Sequence, residues 1–202
     1  MLPFFYACRN LLREPGRLVQ KAGGSALVIF LIMAAAAFNT GMRGLLQASG
    51  SPENIIFLGA GSEESVERSQ IPMQAEEMIR AGVPGISERA GVSAVSGEVH
   101  YNGMVGLPGG AAAQGLTRGV TSSALEVYRG VRILEGSWPA PGEVMVGRLA
   151  HHNLGIESDA LAPGKAILLE GETFRISGRF DAPGTVMESE IWFNRSDLMA
   201  LI

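Results

Sequence analysis

The sequence predicts an α+β protein, in which one N-terminal transmembrane helix is followed by a mixed α+β domain with small sheets. Three observations predict this class. One uncharged apolar stretch near the N-terminus is long enough to cross a membrane. The rest of the 202-residue chain alternates short apolar runs with turn residues, as short strands and helices do. We find no βαβ alternation and no internal repeat, which favours small sheets over a doubly wound fold.

The transmembrane helix is predicted over residues 22–42. No charged residue occurs from Ala22 to Met42, and the run Ala26–Phe38 is wholly apolar. As a helix, this stretch is about 31 Å long at about 1.5 Å per residue, against a hydrocarbon core of about 30 Å. Two alternatives stay open: a buried core helix, and a cleavable signal peptide that ends at the small residues Ala34–Ala37. The leading segment of 21 residues is longer than the short basic start of a signal peptide.

The charges on either side of the stretch predict its orientation. The basic residues before it outnumber the single acid Glu14, whereas four glutamates follow Arg43 before the next basic residue. The positive side of a membrane helix stays in the cytoplasm. We therefore predict a cytoplasmic segment over 1–21, one crossing over 22–42 and a periplasmic domain over 43–202, in the inner membrane of a bacterium.

Residues 2–14 read as a short amphipathic helix along the inner membrane surface, which Pro15 and Gly16 separate from the membrane helix. A plain basic stop before an anchor is the alternative.

Short elements are predicted throughout the domain. The strands and helices are expected, in chain order, at Ile55–Leu58 (a buried strand), Pro72–Arg80 (a helix with Met78 and Ile79 inward and Glu76 and Glu77 outward), Val95–Met104, Leu116–Val120 and Val131–Leu134 (strands), Glu143–Gly147 (a strand), Arg148–Gly155 (a short helix ended by Gly155), Lys165–Phe180 (a hairpin turning at Gly171–Glu172), Ser189–Asn194 (a strand) and Arg195–Ile202 (a helix capped by Ser196 or Asp197).

No pattern of catalytic or ligand-binding residues stands out. His151 and His152 are adjacent and would face about 100° apart on a helix, and the single cysteine, Cys8, lies before the membrane helix. The glycine-rich loops lack the lysine of a phosphate loop. We therefore expect no enzyme, no metal and no cofactor. The net charge of −4, without a basic face, argues against a nucleic-acid partner.

Small residues give the membrane helix a candidate packing face. Ala37 and Gly41 are four residues apart and so share a face that lets another helix approach closely. Asn39 could donate a hydrogen bond to such a neighbour. A simple alanine-rich anchor is the alternative interpretation.

Four segments resemble the N-terminal half of one permease family. They are Arg9–Arg17 (RNLLREPGR), Gln47–Ser65 (QASGSPENIIFLGAGSEES), Arg132–Gly155, with its G-x-x-P-x-x-G-E-V-M-V-G run, and Phe174–Asn194, with an E-x-W segment. Together they resemble the ABC-transporter permeases of the MacB, FtsX and LolC/LolE superfamily. The sequence has Gly164–Lys165 where such permeases usually carry Gly-Asp. It also ends near the approach to a second membrane helix, so we expect a truncated or split permease subunit.

The resemblance implies a mechanical role. In such permeases a separate cytoplasmic ATPase drives the periplasmic domains through the membrane helices, for export, efflux or lipoprotein release. The implied partners are a cytoplasmic ABC ATPase, the remaining permease half or a second permease subunit, and the membrane. The alternative is a stand-alone membrane-anchored periplasmic domain that binds a ligand or scaffolds a complex, and an anchored hydrolase ranks third.

Overall fold

The structure is a computed structural model that describes residues 15–62 and 68–202. The chain divides into two compact units, Met1–Leu46 and Gln47–Ile202. The predicted amphipathic helix over 2–14 lies outside the described residues. The α+β class is confirmed, because a long apolar helix precedes a domain of short helices and strands.

Helix α1 (Pro15–Ser49) is longer than the uncharged stretch at both ends. Proline is tolerated in the first turn of a helix, where its missing N–H has no partner to lose, so Pro15 begins α1. The part Pro15–Gln47 is long and apolar enough to cross a membrane, and none of its most apolar window is buried within the chain. The hydroxyl of Thr40 donates to the carbonyl of Ala36 at 2.9 Å, which satisfies it within the helix.

The segment that follows α1, residues 50–82, is called the incoming segment here. The strand predicted at Ile55–Leu58 is wrong: these residues pair with no described strand, and Ile55 and Ile56 are each 75% exposed. Helix α2 (Ala75–Gly82) begins three residues after Pro72. Its predicted orientation is also wrong at two positions, because Met78 is 71% exposed while Glu76 points toward the domain.

The centre of the domain is one sheet of seven strands, larger than the small sheets expected, beside a two-stranded ribbon. The further elements are β1 (Glu88–Arg89), β2 (Val92–Ser93), β3 (Val99–Gly106), β4 (Ala112–Val120), α3 (Ala124–Val127), β5 (Arg132–Gly136), β6 (Glu143–Gly147), α4 (Ala150–Leu154), a 3-10 helix (Ser158–Leu161), β7 (Ala166–Leu169), β8 (Glu172–Asp181), a second 3-10 helix (Val186–Ser189), β9 (Ile191–Asn194) and α5 (Arg195–Leu201).

The strand order is β5-β8-β6-β9-β4-β3-β7, and β7 pairs also with the first half of β8. Six strands therefore close into a ring, and β5 lies outside it on the second half of β8. Most pairs are antiparallel, but β6 runs parallel to β8 and β9 runs parallel to β4. Closure leaves β5 as the exposed edge.

The two faces of the sheet carry two apolar cores, which side-chain alternation explains. On β6, Val144 and Val146 enter one core while Met145 enters the other; on β9, Phe193 and Trp192 divide in the same way. Central strands buried on both faces read as continuous apolar runs, as EVMVG and IWF do. Trp192 is fully buried and contacts the rings of Phe180, Tyr128 and Trp138.

The last third of the chain was the best predicted. The strand Glu143–Gly147 and the short helix before Gly155, whose φ is 65°, are confirmed. The hairpin is also present, but its turn lies at Glu170–Gly171, where both φ angles are positive. The predicted cap of α5 is wrong, because Asn194 accepts the hydrogen bond from the Ser196 N–H at 3.2 Å.

Candidate functional site

The three residues predicted to pack in the membrane helix do not share one face. Ala37 and Gly41 are one helical turn apart, whereas Asn39 lies about 200° around the axis from Ala37. All three are exposed, and apart from its chain neighbours and the backbone of α1 itself, no described atom lies within 4 Å of where a Cβ of Gly41 would be. One neighbouring helix could contact Ala37 and Gly41 but not also Asn39. Packing at this face stays a prediction.

One contact attaches the first half of the incoming segment to the rest of the domain, and a second lies within the segment. The side-chain amide of Asn54 donates to the carbonyl of Val127, the last residue of α3, at 3.3 Å. Further along, the N–H of Gly59 donates to the hydroxyl of Ser69 at 2.8 Å. A Cβ at Gly59 would collide with the carbonyl oxygen of Gln70, so only glycine allows the backbone to approach Gln70 this closely.

An ion pair between Glu76 and Arg195 attaches the second half. Arg195 is the first residue of α5, and the same guanidinium nitrogen also donates to the carbonyl of Gly97 at 3.0 Å. The other carboxylate oxygen of Glu76 accepts from Arg80 at 2.8 Å. The side chain of Glu76 is only 10% exposed, so water screens this pair less than a surface pair. The Glu76–Arg195 pair thus connects the incoming segment to the helix in which the chain ends.

Two glycines make room for α5 and its arginine. A Cβ at Gly97 would overlap the guanidinium of Arg195, and a Cβ at Gly119 would lie 3.1 Å from the Cα of Arg195 and 3.2 Å from Leu198. Leu198 is fully buried against β4. The helix that begins with Arg195 is therefore packed directly on the sheet.

A second group of charged side chains is buried around Arg118. Glu190 binds Arg118 with both oxygens, at 2.6 Å to Nε and 2.6 Å to an Nη atom, which is the two-bond geometry that suits arginine and carboxylate. Glu98 accepts from the other Nη at 2.7 Å and from the Tyr128 hydroxyl at 3.0 Å. The indole N–H of Trp192 donates to Glu190 at 2.9 Å. One guanidinium thus holds two carboxylates.

Charge and burial shift the pKa values in this cluster. Burial raises the pKa of Glu98, but the contact with His100 and the charge of Arg118 outweigh it, so this pKa lies below its ordinary value. Burial lowers the pKa of Arg118, but Glu190 and Glu98 raise it by more. Burial and the negative charge of Glu98 raise the pKa of the Tyr128 hydroxyl. Glu98 and Arg118 are therefore charged at neutral pH, and the Tyr128 hydroxyl stays protonated.

A third ion-pair group joins the end of β6 to the residues around β9. Arg148 donates to Asp181 at 2.9 Å and to Glu188 at 2.7 Å. The hydrogen bond from Arg148 lowers the pKa of Asp181. Gly147 approaches the backbone of Glu188 so closely that a Cβ would collide with its carbonyl oxygen.

Sequence reasoning missed all three ion-pair groups, which are centred on Arg195, Arg118 and Arg148. Their members are far apart in the chain: Arg118 and Glu190 are 72 residues apart, and Glu76 and Arg195 are 119 apart. One signal was present, because the E-x-W segment noted in the resemblance is Glu190 and Trp192, which bind each other. A charged residue beside apolar strand residues indicates a buried ion pair. The partner in that pair can be identified only when the strand order is known.

The histidines do not converge on a metal site. The rings of His151 and His152 stack 4.0 Å apart, and His100 lies 3.7 Å from Glu98. Within residues 15–62 and 68–202, no three histidine, cysteine, aspartate or glutamate side chains are grouped so that they could hold a metal ion.

One helix that is long and apolar enough to cross a membrane is followed by a closed-sheet α+β domain. The family model described as the MacB-like periplasmic core domain matches residues 22–202. The chain therefore belongs to the family of ABC-transporter permeases that carry a MacB-like periplasmic core domain. The resemblance drawn from the sequence is confirmed. This family and the N-terminal apolar helix fit a single-pass membrane anchor.

The fold is similar to that of a solved periplasmic domain. The periplasmic region of MacB from Actinobacillus actinomycetemcomitans superposes with a TM-score of 0.54 at 14% identity, over 72% of this chain and 66% of that one. The extracellular domain of the ABC-type transporter YknZ from Gram-positive bacteria gives a TM-score of 0.48 at 13% identity, over 62% of this chain and 64% of that one. The chain thus spans slightly less than two thirds of each of these domains. No curated protein matches it.

Proposed function

We propose that this chain is the membrane-anchored periplasmic part of an ABC-transporter permease subunit. In this proposal α1 crosses the inner membrane of a bacterium once, with its N-terminus in the cytoplasm and the sheet domain in the periplasm. A separate cytoplasmic ABC ATPase supplies the motion, and the domain delivers it for export, efflux or lipoprotein release. Family membership supports an ABC transporter with a partner ATPase, and the excess of basic residues before the apolar stretch supports the orientation.

The Glu76–Arg195 pair is the observation that carries the mechanical part of the proposal. If a domain is moved through the segments that lead into and out of it, those segments must be attached to its packed core. Otherwise flexible loops absorb the motion. Here the incoming segment is tied to Arg195, and α5 is packed on β4 through Gly119 and Leu198. Motion of α1 would thus move the sheet and α5 together. In this proposal the domain has two states, and nucleotide binding to the ATPase shifts the population from one to the other.

The proposed partners in the membrane are the remaining permease half or a second permease subunit. The face of Ala37 and Gly41 is the proposed contact, because small residues let helix backbones approach closely. The role is mechanical, so we assign no catalytic residue and no cofactor.

The test is a crosslinking experiment in membranes that also contain the ABC ATPase encoded nearest to this chain. Cys8 is replaced by serine, and a single cysteine is placed by Ala34→Cys, on the helix near this face. We expect α1 to crosslink to another permease helix, and we expect the chain to co-purify with the ATPase.

The Ala37→Leu/Gly41→Leu variant should insert normally but lose both. A matched control is Ala35→Leu, which makes the same change at an exposed position about 200° around the helix axis from Ala37 and should keep both. Absence of any crosslink in the otherwise native chain, or crosslinks unchanged in the double leucine variant, would leave α1 as a mere anchor and support the stand-alone domain instead.

A further inference from the structure

The first attachment of the incoming segment reaches a residue that adjoins the buried group around Arg118. We call this group the Arg118 cluster, and its members are Glu98, Arg118, Tyr128, Glu190 and Trp192. Asn54 donates to the carbonyl of Val127, and the next residue, Tyr128, donates its hydroxyl to Glu98. The first attachment therefore ends one residue from the cluster along the chain.

The second attachment ends equally close to the cluster. Glu76 pairs with Arg195, and the guanidinium of Arg195 donates to the carbonyl of Gly97 at 3.0 Å. A Cβ at Gly97 would collide with side-chain atoms of both partners, so this backbone lies directly against the pair. The residue after Gly97 is Glu98, which accepts from Arg118 at 2.7 Å. Two consecutive residues thus bind two different arginines.

Strand β9 joins the same two groups by another route. Glu190 comes directly before β9 and binds Arg118, whereas Arg195 comes directly after β9 and binds Glu76. Three of the four residues of β9 are buried. Close-packed interiors have low compressibility and transmit displacement. A movement of the Glu76–Arg195 pair therefore reaches the cluster through β9 as well as through Gly97.

The residues that connect β2 to β3, 94–98, are called the strap here. None of them belongs to a strand or a helix. The Oε1 atom of Glu98 and the hydroxyl of Ser96 are both buried, and neither has a hydrogen-bond partner among the described residues. Buried polar groups without partners are unfavourable. The observed position of the strap is therefore not fully satisfied, which lowers the cost of moving it.

We propose that the Arg118 cluster senses displacement of the incoming segment. When Asn54 and Glu76 lose their contacts, the strap moves Glu98 relative to Arg118. The cluster then has two arrangements, one with the incoming segment attached and the other with it released, and both attachments bias the same equilibrium. This coupling needs no ATPase, so it holds or fails independently of the proposed transport role.

Trp192 reports on the cluster directly, because its indole N–H donates to Glu190 at 2.9 Å. The chain has two tryptophans, so the isotope-labelled full chain in detergent micelles gives two indole signals by nuclear magnetic resonance, and Trp138→Phe identifies the signal of Trp192. Exchange of this proton with deuterated water measures local opening. We expect Glu76→Gln to speed the exchange about threefold, and Asn54→Ala/Glu76→Gln about tenfold.

Glu77→Gln is the matched control, since it makes the same change one residue along α2, at a carboxylate that is 73% exposed. It should leave the exchange rate of Trp192 unchanged. The amides of β7, a strand that borders the other core, separate local opening from general destabilisation. Their exchange should also stay unchanged. If Glu76→Gln speeds exchange equally at Trp192 and in β7, or at neither, the proposal is wrong.

Coupling between two sites is reciprocal, so disturbing the cluster should loosen the incoming segment. In a Cys8→Ser background, a nitroxide label at Met78→Cys, a 71% exposed position, reports the mobility of α2 by electron paramagnetic resonance. Glu98→Gln should increase the mobile fraction of the spectrum. Glu188→Gln is the control, because this buried carboxylate pairs with Arg148 and is not a member of the cluster. No change in Glu98→Gln, or an equal increase in both variants, would contradict the coupling.

Discussion

Glu76 and Arg195 are 119 residues apart in the sequence and form an ion pair that joins the segment after α1 to α5 of the domain. The pair is supported on both sides. Arg80 donates to Glu76, and the carbonyl of Gly97 accepts from Arg195. Since α5 is packed on β4, the pair connects the incoming segment to the sheet as well.

A double-mutant cycle on this pair measures how much it couples the two elements. We expect Glu76→Gln and Arg195→Gln to show an interaction free energy of about 0.5–3 kcal/mol, the range for residues in direct contact. The unfolding of the full chain in detergent can be followed by tryptophan fluorescence, because both tryptophans lie in the sheet domain. The control cycle is Glu77 with Arg80, a more exposed pair that should couple by less than about 1 kcal/mol. Equal coupling in the two cycles would contradict a special role for Glu76 and Arg195.

Arg118→Met should destabilise the domain by about 3–5 kcal/mol. The methionine fills a similar volume but leaves Glu98 and Glu190 buried without their shared counter-charge. Arg89→Met is the control, because Arg89 is 76% exposed in its pair with Glu126 and should change the free energy of unfolding by no more than about 0.5 kcal/mol. If Arg118→Met lowered the free energy of unfolding as little as Arg89→Met, the two buried carboxylates would not depend on Arg118.

The domain should lose stability in acid, partly through Glu98. The pKa of Glu98 is lower in the folded protein than its ordinary value of 4.5, so the folded state binds fewer protons than the unfolded state in that range. The stabilisation is therefore present above the ordinary pKa and is lost as the pH falls through the lower folded value. In Glu98→Gln this contribution disappears, so the free energy of unfolding should fall less steeply from about pH 6 to about pH 3. Identical slopes for the variant and the natural chain would contradict the assignment.

The orientation of α1 can be tested with reporter fusions. Alkaline phosphatase, which is active only outside the cytoplasm, should be active when fused after Gly59 and inactive when fused after Gln20. Leu31→Arg should hinder insertion, since an arginine at the centre of a membrane helix costs about 2.5–3.5 kcal/mol on the insertion scale. An inactive fusion at Gly59 in the unmutated helix would reverse the proposed topology.

Local signals explain which parts of the fold could be predicted. The strand Glu143–Gly147, the end of α4 at Gly155 and the β7–β8 hairpin depend on neighbouring residues, and these were correct. The strand at Ile55–Leu58 failed because an apolar run predicts burial, and the structure leaves Ile55 and Ile56 exposed. At this segment the local sequence pattern and the tertiary surroundings disagree.

The ion pairs could not be predicted, because their geometry depends on strand order. Arg118 on β4 meets Glu190 only because β9 lies parallel beside β4, and a parallel pair has no short-range signal in the sequence. Similarly, the periodicity of α2 alone predicts that Glu76 faces solvent. In the structure its carboxylate instead pairs with Arg195 of the domain. The class of the fold and the family were therefore accessible from sequence, and the residues that tie the domain together were not.

The most direct test of the mechanical account is a distance measurement by electron paramagnetic resonance. In a Cys8→Ser background, nitroxide labels are attached at Gly44→Cys on α1 and Leu134→Cys on β5, both of which are exposed. The chain is reconstituted with its permease partner and the nearest-encoded ABC ATPase. The account predicts that the distance distribution changes when ATP binds without hydrolysis, and that the change is diminished in Glu76→Gln. A distribution that is the same with and without ATP, in a complex shown to contain the ATPase, would contradict it.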